Sequence, residues 1–420
     1  MLKKDLMKVA AYARAFAVWL AASATVGVVC GLVGGLFAMA VEWATHLRGE
    51  STLLPWLMPV AGLAIAGLYR LLRLPLSIGT DEIITTVRTQ ERVPLAMAPA
   101  IFISTVLTHL TGGSAGREGA ALQLGGSIGA GIGRALPLER AGKRAEADAI
   151  RIFQLCGMAA LFSALFGTPL AATVFVVEIV EVGKINERAL LPCLVSALTA
   201  KLVAVGIGAP AEVFPLASGL AQADPIPLLQ TAALGVLCAL VAILFCRVMH
   251  GASKSFKRLI PNDYLRIVSG AAAVILLSLL LGTQDYRGGG MHVIHAALEG
   301  HAVPAAFLLK IVFTALSLGT GYKGGEIVPS FFVGATLGCT AAGLLGFPPA
   351  LGAAVGIIGL FCGVTNAPLA SIMLAAELFG TEYLLFFGVA AAVSYALSGH
   401  VSLYHAQIIL EPKMGHREGI

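Results

Sequence analysis

The chain has 420 residues, of which 58% are hydrophobic and only 12% charged, with a mean hydropathy of +0.88. A soluble protein carries about twice that charged fraction, so composition excludes a soluble globular domain and points to an all-α polytopic membrane protein. The net charge is +5, but the basic residues lie between apolar segments without interleaved aromatics, which excludes a nucleic-acid partner.

The first stretch, MLKKDLMKVAAYARAFAVWLAASA, has the basic start of a signal peptide. Its apolar run continues through Val29 to Val41 without a convincing cleavage site, so it reads as a retained first membrane helix. Apolar segments follow at 14–46, 53–73, 94–110, 118–134, 148–164, 169–181, 188–208, 226–248, 266–282, 303–319, 327–346, 350–363, 368–380 and 383–399. Several are shorter than the ~20 residues of a perpendicular span, and the 49 glycines suit closely packed, broken helices. Basic residues gather at Lys3, Lys4 and Lys8, at Arg70 and Arg73, from Arg134 to Arg151 and from Arg247 to Arg266. The positive-inside rule places these ends and the N-terminus in the cytoplasm. Leu136 to Ala149 reads as a charged loop, and Gly208 to Pro227 as a surface excursion between two halves. The expected division is therefore a first membrane repeat at 1–208, a connecting segment at 209–225 and a second repeat at 226–420. No soluble domain is expected to be appended, and the tail from Glu411 to Ile420 is too short to fold. The seven cysteines form no CxxC and fall in apolar stretches, as small core residues do.

Within this chain one stretch carries chemistry. Gly112 to Gly133, GGSAGREGAALQLGGSIGAGIG, holds nine glycines, with Gly116-Arg117-Glu118-Gly119 ahead of an apolar helix. Glycines before a helix leave backbone N–H groups free and let a ligand approach closely. Those donors and the helix dipole favour an anion, and a carboxylate planted there competes with it. The pattern recurs at Gly321-Tyr322-Lys323-Gly324-Gly325-Glu326-Ile327-Val328-Pro329. Glycines at Gly125 and Gly129 stand five and nine residues after Ala120, and Gly334 and Gly338 stand at the same offsets from Pro329. Small-residue helix packing is the bland explanation of either copy alone; the acid at the head of each favours a site. A second repeat relates Thr168-Pro169-Leu170-Ala171, ending at Glu178, to Ala367-Pro368-Leu369-Ala370, ending at Glu377. These two acids read as structural. Short, glycine-interrupted segments in corresponding positions of two halves mark a transporter's binding site.

These residues resemble the CLC family of chloride channels and anion/proton antiporters, over essentially the whole chain. Gly116 to Gly119 is similar to the family's GREGP motif, with Ala120 in place of proline. Gly325-Glu326-Ile327-Val328-Pro329 sits where the family carries GxFxP, and Tyr404 matches the tyrosine that reaches the central anion site. The resemblance implies a CLC-type fold of two inverted-topology repeats of tilted and broken helices, and a homodimer with one anion path per subunit. It also implies Glu118 as the gating and proton-coupling residue. The anion-binding set would be Ile78, Gly79, Gly116, Arg117, Gly119, Gly325, Glu326, Ile327, Val328 and Tyr404.

Departures from the family's pattern narrow the function. Where the family has GSGIP, this chain has Ser77-Ile78-Gly79-Thr80-Asp81, so Ile78 replaces the chloride-holding serine. Ile179 follows Glu178 where chloride/proton antiporters carry an inward-facing glutamate, and Glu326 occupies a position that is apolar in chloride transporters. Together these resemble the fluoride/proton antiporter branch. The expectation is a bacterial inner-membrane fluoride/proton antiporter, with no cofactor and no metal. The alternative is a chloride channel or chloride/proton antiporter of the same family. An intramembrane enzyme is disfavoured because the chain lacks GxSxG, HExxH and paired intramembrane aspartates; His109, His250, His292 and His295 have no ligand spacing.

Overall fold

The computed structural model describes residues 2–89, 91–136, 143–410 and 412–413. Parts of the expected charged loop and of the C-terminal tail (137–142, 411 and 414–420) lie outside the described residues. Two series of eight α-helices make up the described chain. The first comprises α1 (Leu2–Glu50), α2 (Met58–Leu71), α3 (Thr80–Thr89), α4 (Met97–Thr111), α5 (Glu118–Ala135), α6 (Lys143–Phe166), α7 (Pro169–Glu178) and α8 (Glu187–Gly206). The second comprises α9 (Pro225–Leu259), α10 (Asp263–Leu281), α11 (Met291–Leu298), α12 (Ala306–Thr320), α13 (Ile327–Leu345), α14 (Pro349–Thr365), α15 (Pro368–Phe379) and α16 (Leu384–Leu397).

The helix ends follow local chemistry. Proline opens α7, α9, α14 and α15, where its missing N–H costs nothing. Asn262 caps α10 by accepting from the N–H groups of Tyr264 and Leu265 at 2.9 and 3.2 Å. Left-handed Gly112, Gly282 and Gly346 close α4, α10 and α13. Helix α1 starts well before the expected residue 14, because nothing in Leu2–Glu50 breaks a helix. Among the described residues, seven helical segments are long and apolar enough to cross a membrane. Helices such as α7 and α15, with 10 and 12 residues, are too short to do so alone.

Small residues hold the bundle together, as expected where lipid removes the hydrophobic drive between helices. Helices α5 and α6 meet at Gly125 and Gly157, where a methyl on either would collide with the other's carbonyl oxygen. Helices α13 and α14 meet in the same way at Gly334 and Gly356, and at Gly338 and Gly352. The matched glycine offsets, expected from the sequence to mark the site, are thus packing contacts of two equivalent helix pairs.

Helices α7 and α15 run antiparallel and cap each other. Glu178, at the end of α7, accepts from Leu369 and Ala370 N–H at 3.1 and 2.9 Å. Glu377, at the end of α15, accepts from Leu170 and Ala171 N–H at 3.1 and 2.8 Å. Both acids therefore have the structural role read from the sequence. After Tyr404 the chain docks back: Ile408–Ile409 pairs in parallel with Glu181–Val182, a contact the sequence did not disclose.

Candidate functional site

The heads of α5 and α13 meet near the middle of the fold. Gly116 N–H donates to Gly325 O, and Gly325 N–H donates to Gly116 O, both at 2.7 Å. A methyl at Gly119 would lie 2.7 Å from Gly325 Cα, and one at Gly325 would strike Gly119 backbone. Glycine is required here for close approach. Gly116 and Gly325 were expected among the anion-binding residues; the bridge consumes their N–H groups, so both build the frame. The N–H groups of Gly119, Ala120, Ile327 and Val328, in the first turns of the two helices, make no backbone hydrogen bond. They are the donors still available to an anion. Further ties fix the junction: Ser114 N–H donates to Ser317 Oγ at 2.9 Å, and Lys323 N–H to Thr108 Oγ1 at 3.2 Å.

Glu118 is fully buried, and its Oε2 accepts from Arg117 N–H at 2.9 Å. Its carboxylate therefore occupies a donor at a helix N-terminus, where an anion would compete with it. Arg117 does not reach across to the anion donors. Its Nη2 donates to Glu212 Oε1 at 2.7 Å, while its Nε stands 3.6 Å from Glu118 Oε1. Glu212 lies in the segment expected to be a mere surface excursion. That segment is docked: Phe214 is buried against Phe331 and Phe379, and Tyr383 Oη accepts from Leu220 N–H at 2.8 Å.

The bridge separates two cavities. One, of about 450 Å³, is lined by Gly116, Arg117, Glu118, Glu212 and Val328. The other, of about 410 Å³, is lined by Ile78, Gly79, Thr80, Asp81, Lys323, Glu326 and Tyr404. Gly119, Gly325 and Ile327 line neither cavity; the methyl geometry at Gly119 and Gly325 puts those two at the bridge. Glu326 was expected to face the same site as Glu118, but the structure gives the two acids opposite cavities. Tyr404 is buried with its hydroxyl unpartnered, and Asp81 Oδ1 accepts from Ala406 N–H at 3.0 Å, fastening the tyrosine's segment to α3. Sequence reasoning missed Lys323, whose buried ammonium donates to Leu76 O and Ile78 O at 2.7 and 2.9 Å. With both carbonyls held, Lys323 pins the loop that leads into α3. Its position inside the second glycine motif was the available signal.

The family model for voltage-gated chloride channels matches residues 73–399, which takes in both glycine junctions and both capped short helices. The chain belongs to the CLC family. A CLC relative, the "Chloride/fluoride channel protein" of Pseudomonas syringae pv. tomato, is 35% identical, over 95% of this chain and 87% of its own. The "H(+)/Cl(-) exchange transporter ClcA" of Vibrio vulnificus is 28% identical, over 86% of this chain and 82% of its own. Among solved CLC structures, one titled "Crystal structure of a CLC-type fluoride/proton antiporter" superposes with a TM-score of 0.88. It is 31% identical, and the match covers 94% of this chain and 98% of that one.

Proposed function

We propose that this CLC protein is a fluoride/proton antiporter that exports fluoride across the bacterial inner membrane, a transporter and not an enzyme. One observation carries the proposal: a carboxylate stands at the head of each of the two bridged helices, the fully buried Glu118 toward one cavity and the half-buried Glu326 toward the other. Ionisable groups inside a membrane protein are costly and mark ion paths. Glu118 is the gate, taking the place of the anion when charged and releasing it when protonated. Arg117 positions Glu118 and holds the connecting segment. The anion is bound by the first-turn N–H groups of α3, α5 and α13, with Gly79 and Tyr404 on the Glu326 side. Ile78 offers no hydroxyl, which disfavours chloride, whereas small fluoride is well served by backbone donors. The relatives named for fluoride support the same choice of anion.

Orientation belongs to the proposal too. Lys254, Lys257 and Arg266 line the cavity of Tyr404, and the positive-inside rule makes it cytoplasmic. The N-terminus is then cytoplasmic, and the far end of α1, with Arg48, reaches the outer cavity beside Glu118. The two series of eight helices support repeats at 1–208 and 226–420, joined by 209–225. The functional unit is a homodimer in the lipid bilayer with one path in each subunit, as the family resemblance implies. Efflux from proteoliposomes loaded with fluoride, chloride or nitrate, with external pH recorded, tests the proposal. Fluoride should leave in strong preference to chloride, with protons moving the other way. Equal fluoride and chloride fluxes would establish the chloride alternative instead.

A further inference from the structure

The cavity of Glu118 has a second side, away from the glycine bridge, that the proposed exchange does not use. Val328 packs over Gly116, Gly289 lies over Val328, and Arg287 precedes the run Gly288-Gly289-Gly290. Two guanidinium groups crowd there: a methyl at Gly112 would touch Arg287 Cδ at 3.1 Å and Arg48 Cδ at 3.4 Å. At Gly288, where φ is +57°, a side chain would strike Arg48 Nη1 at 2.7 Å. The glycine is therefore needed twice, for its backbone conformation and for the room it leaves Arg48.

Among the described residues, the cations here lack acidic partners. Arg48 Nη1 donates to His109 O at 2.8 Å, and the fully buried Lys310 donates to Tyr286 O and Gly288 O at 3.2 and 2.6 Å. Arg287 is 4% exposed; its Nε donates to Ser278 Oγ at 2.7 Å, and its Nη1 has no partner. Among the described residues no carboxylate forms an ion pair with any of the three. The cavity's acids are otherwise engaged or exposed: Glu118 and Glu212 pair with Arg117, and Glu42 is exposed. Arg117 Nε is likewise buried without a hydrogen-bond partner. Guanidinium groups stay charged and donate only, and a buried charge without a counter-charge is expensive. An anion in this cavity would answer both deficits.

We infer that Arg287 and Arg48, with Arg117 at its inner edge, form an anion-binding station in the cavity on the Glu118 side, one layer outside the glycine bridge. Its ligand is a small inorganic anion that keeps part of its hydration shell, since the cavity is far larger than a bare halide. The inference rests on the proposed function for the ligand's identity: in a fluoride exporter, the anion pauses here on leaving and the station sets its affinity on that face. Arg48 and Lys310 also brace the loops around the cavity, whereas Arg287, held to Ser278 through Nε, keeps its Nη1 without a partner.

The test is initial efflux from proteoliposomes against internal fluoride, repeated with chloride, for wild type and for R287Q, R48Q and R287K. A hydrogen bond to an ion contributes about 1.5 kcal/mol or more, which is roughly a tenfold change in affinity. R287Q should therefore raise the half-saturating fluoride concentration about tenfold, with a smaller effect on maximal rate; R287K, which keeps the charge, should recover most of the loss. Half-saturation unchanged in both R287Q and R48Q, whatever their thermal stability, overturns the station. If R287Q does not fold, Gly288→Ala decides, because it displaces Arg48; an unchanged half-saturation there also counts against the station. A wild type that carries chloride and not fluoride refutes the fluoride proposal alone, and the chloride titration then judges the station separately.

Discussion

Replacing Glu178 and Glu377 by glutamine tests whether these two acids are structural caps or steps in a proton path. Each carboxylate receives two N–H groups from the first turn of the opposite helix, at 2.8–3.1 Å. A glutamine keeps one acceptor oxygen and turns an amide NH₂ toward the second donor. It loses one charge-assisted hydrogen bond, about 1.5–3 kcal/mol, and the carboxylate's attraction to the helix terminus, about 0.3–1 kcal/mol. The expected cost is about 2–4 kcal/mol for each single variant. The two caps lie at opposite ends of a pair of short helices, roughly 15 Å apart at ~1.5 Å per residue. The double variant should therefore lose close to the sum of the two single losses. Heating detergent-solubilised protein and following the folded peak by size-exclusion chromatography measures the loss. Fluoride/proton exchange per folded protein should persist in both single variants. An E178Q protein with wild-type thermal stability and no proton counterflux would refute the cap assignment and place Glu178 in the proton path.

Three further outcomes follow from the junction. Glu118→Gln mimics the protonated gate and should abolish proton movement driven by a fluoride gradient; persistent coupled proton flux would show that protons enter elsewhere. Glu326→Ala should weaken fluoride preference or uncouple fluoride from protons without unfolding the protein, and wild-type exchange in liposomes would make Glu326 structural. Gly325→Ala drives a methyl into Gly119 backbone, a collision with no flexible partner that should cost about 3 kcal/mol, so folded yield on size-exclusion should fall sharply.

Hydropathy located the bundle well, since every apolar segment read from the sequence carries a helix. What it missed were polar or very short elements. The eight residues of α11 do not make a membrane-length apolar run, and the strand at Ile408–Ile409 depends on a distant partner at Glu181–Val182. The acid at the head of each glycine motif was legible because a carboxylate beside a helix N-terminus in an apolar chain has few ordinary uses. Two features of the site were not legible. Glu212 is a lone acid in a proline- and alanine-rich segment, and only tertiary docking brings it to Arg117. The sidedness of Glu326 was hidden because the Gly116–Gly325 bridge, which parts the two cavities, joins residues far apart in the sequence.

The bridge also limits how an exchanger of the proposed kind could work. Its two 2.7 Å hydrogen bonds join the two halves of the fold, and the methyl-free contact of Gly119 with Gly325 leaves no slack between the helix heads. Parting the heads would break both bonds at once. The groups able to change place at lower cost are side chains. Glu118 shares its oxygens with one backbone N–H and one guanidinium, and the Tyr404 hydroxyl has no partner to lose. Access from the two cavities would then alternate through rotation of Glu118 on one side and of Glu326 or Tyr404 on the other. The helix heads would stay joined throughout, which is how a protein can pass an anion while presenting a fixed set of N–H donors to it.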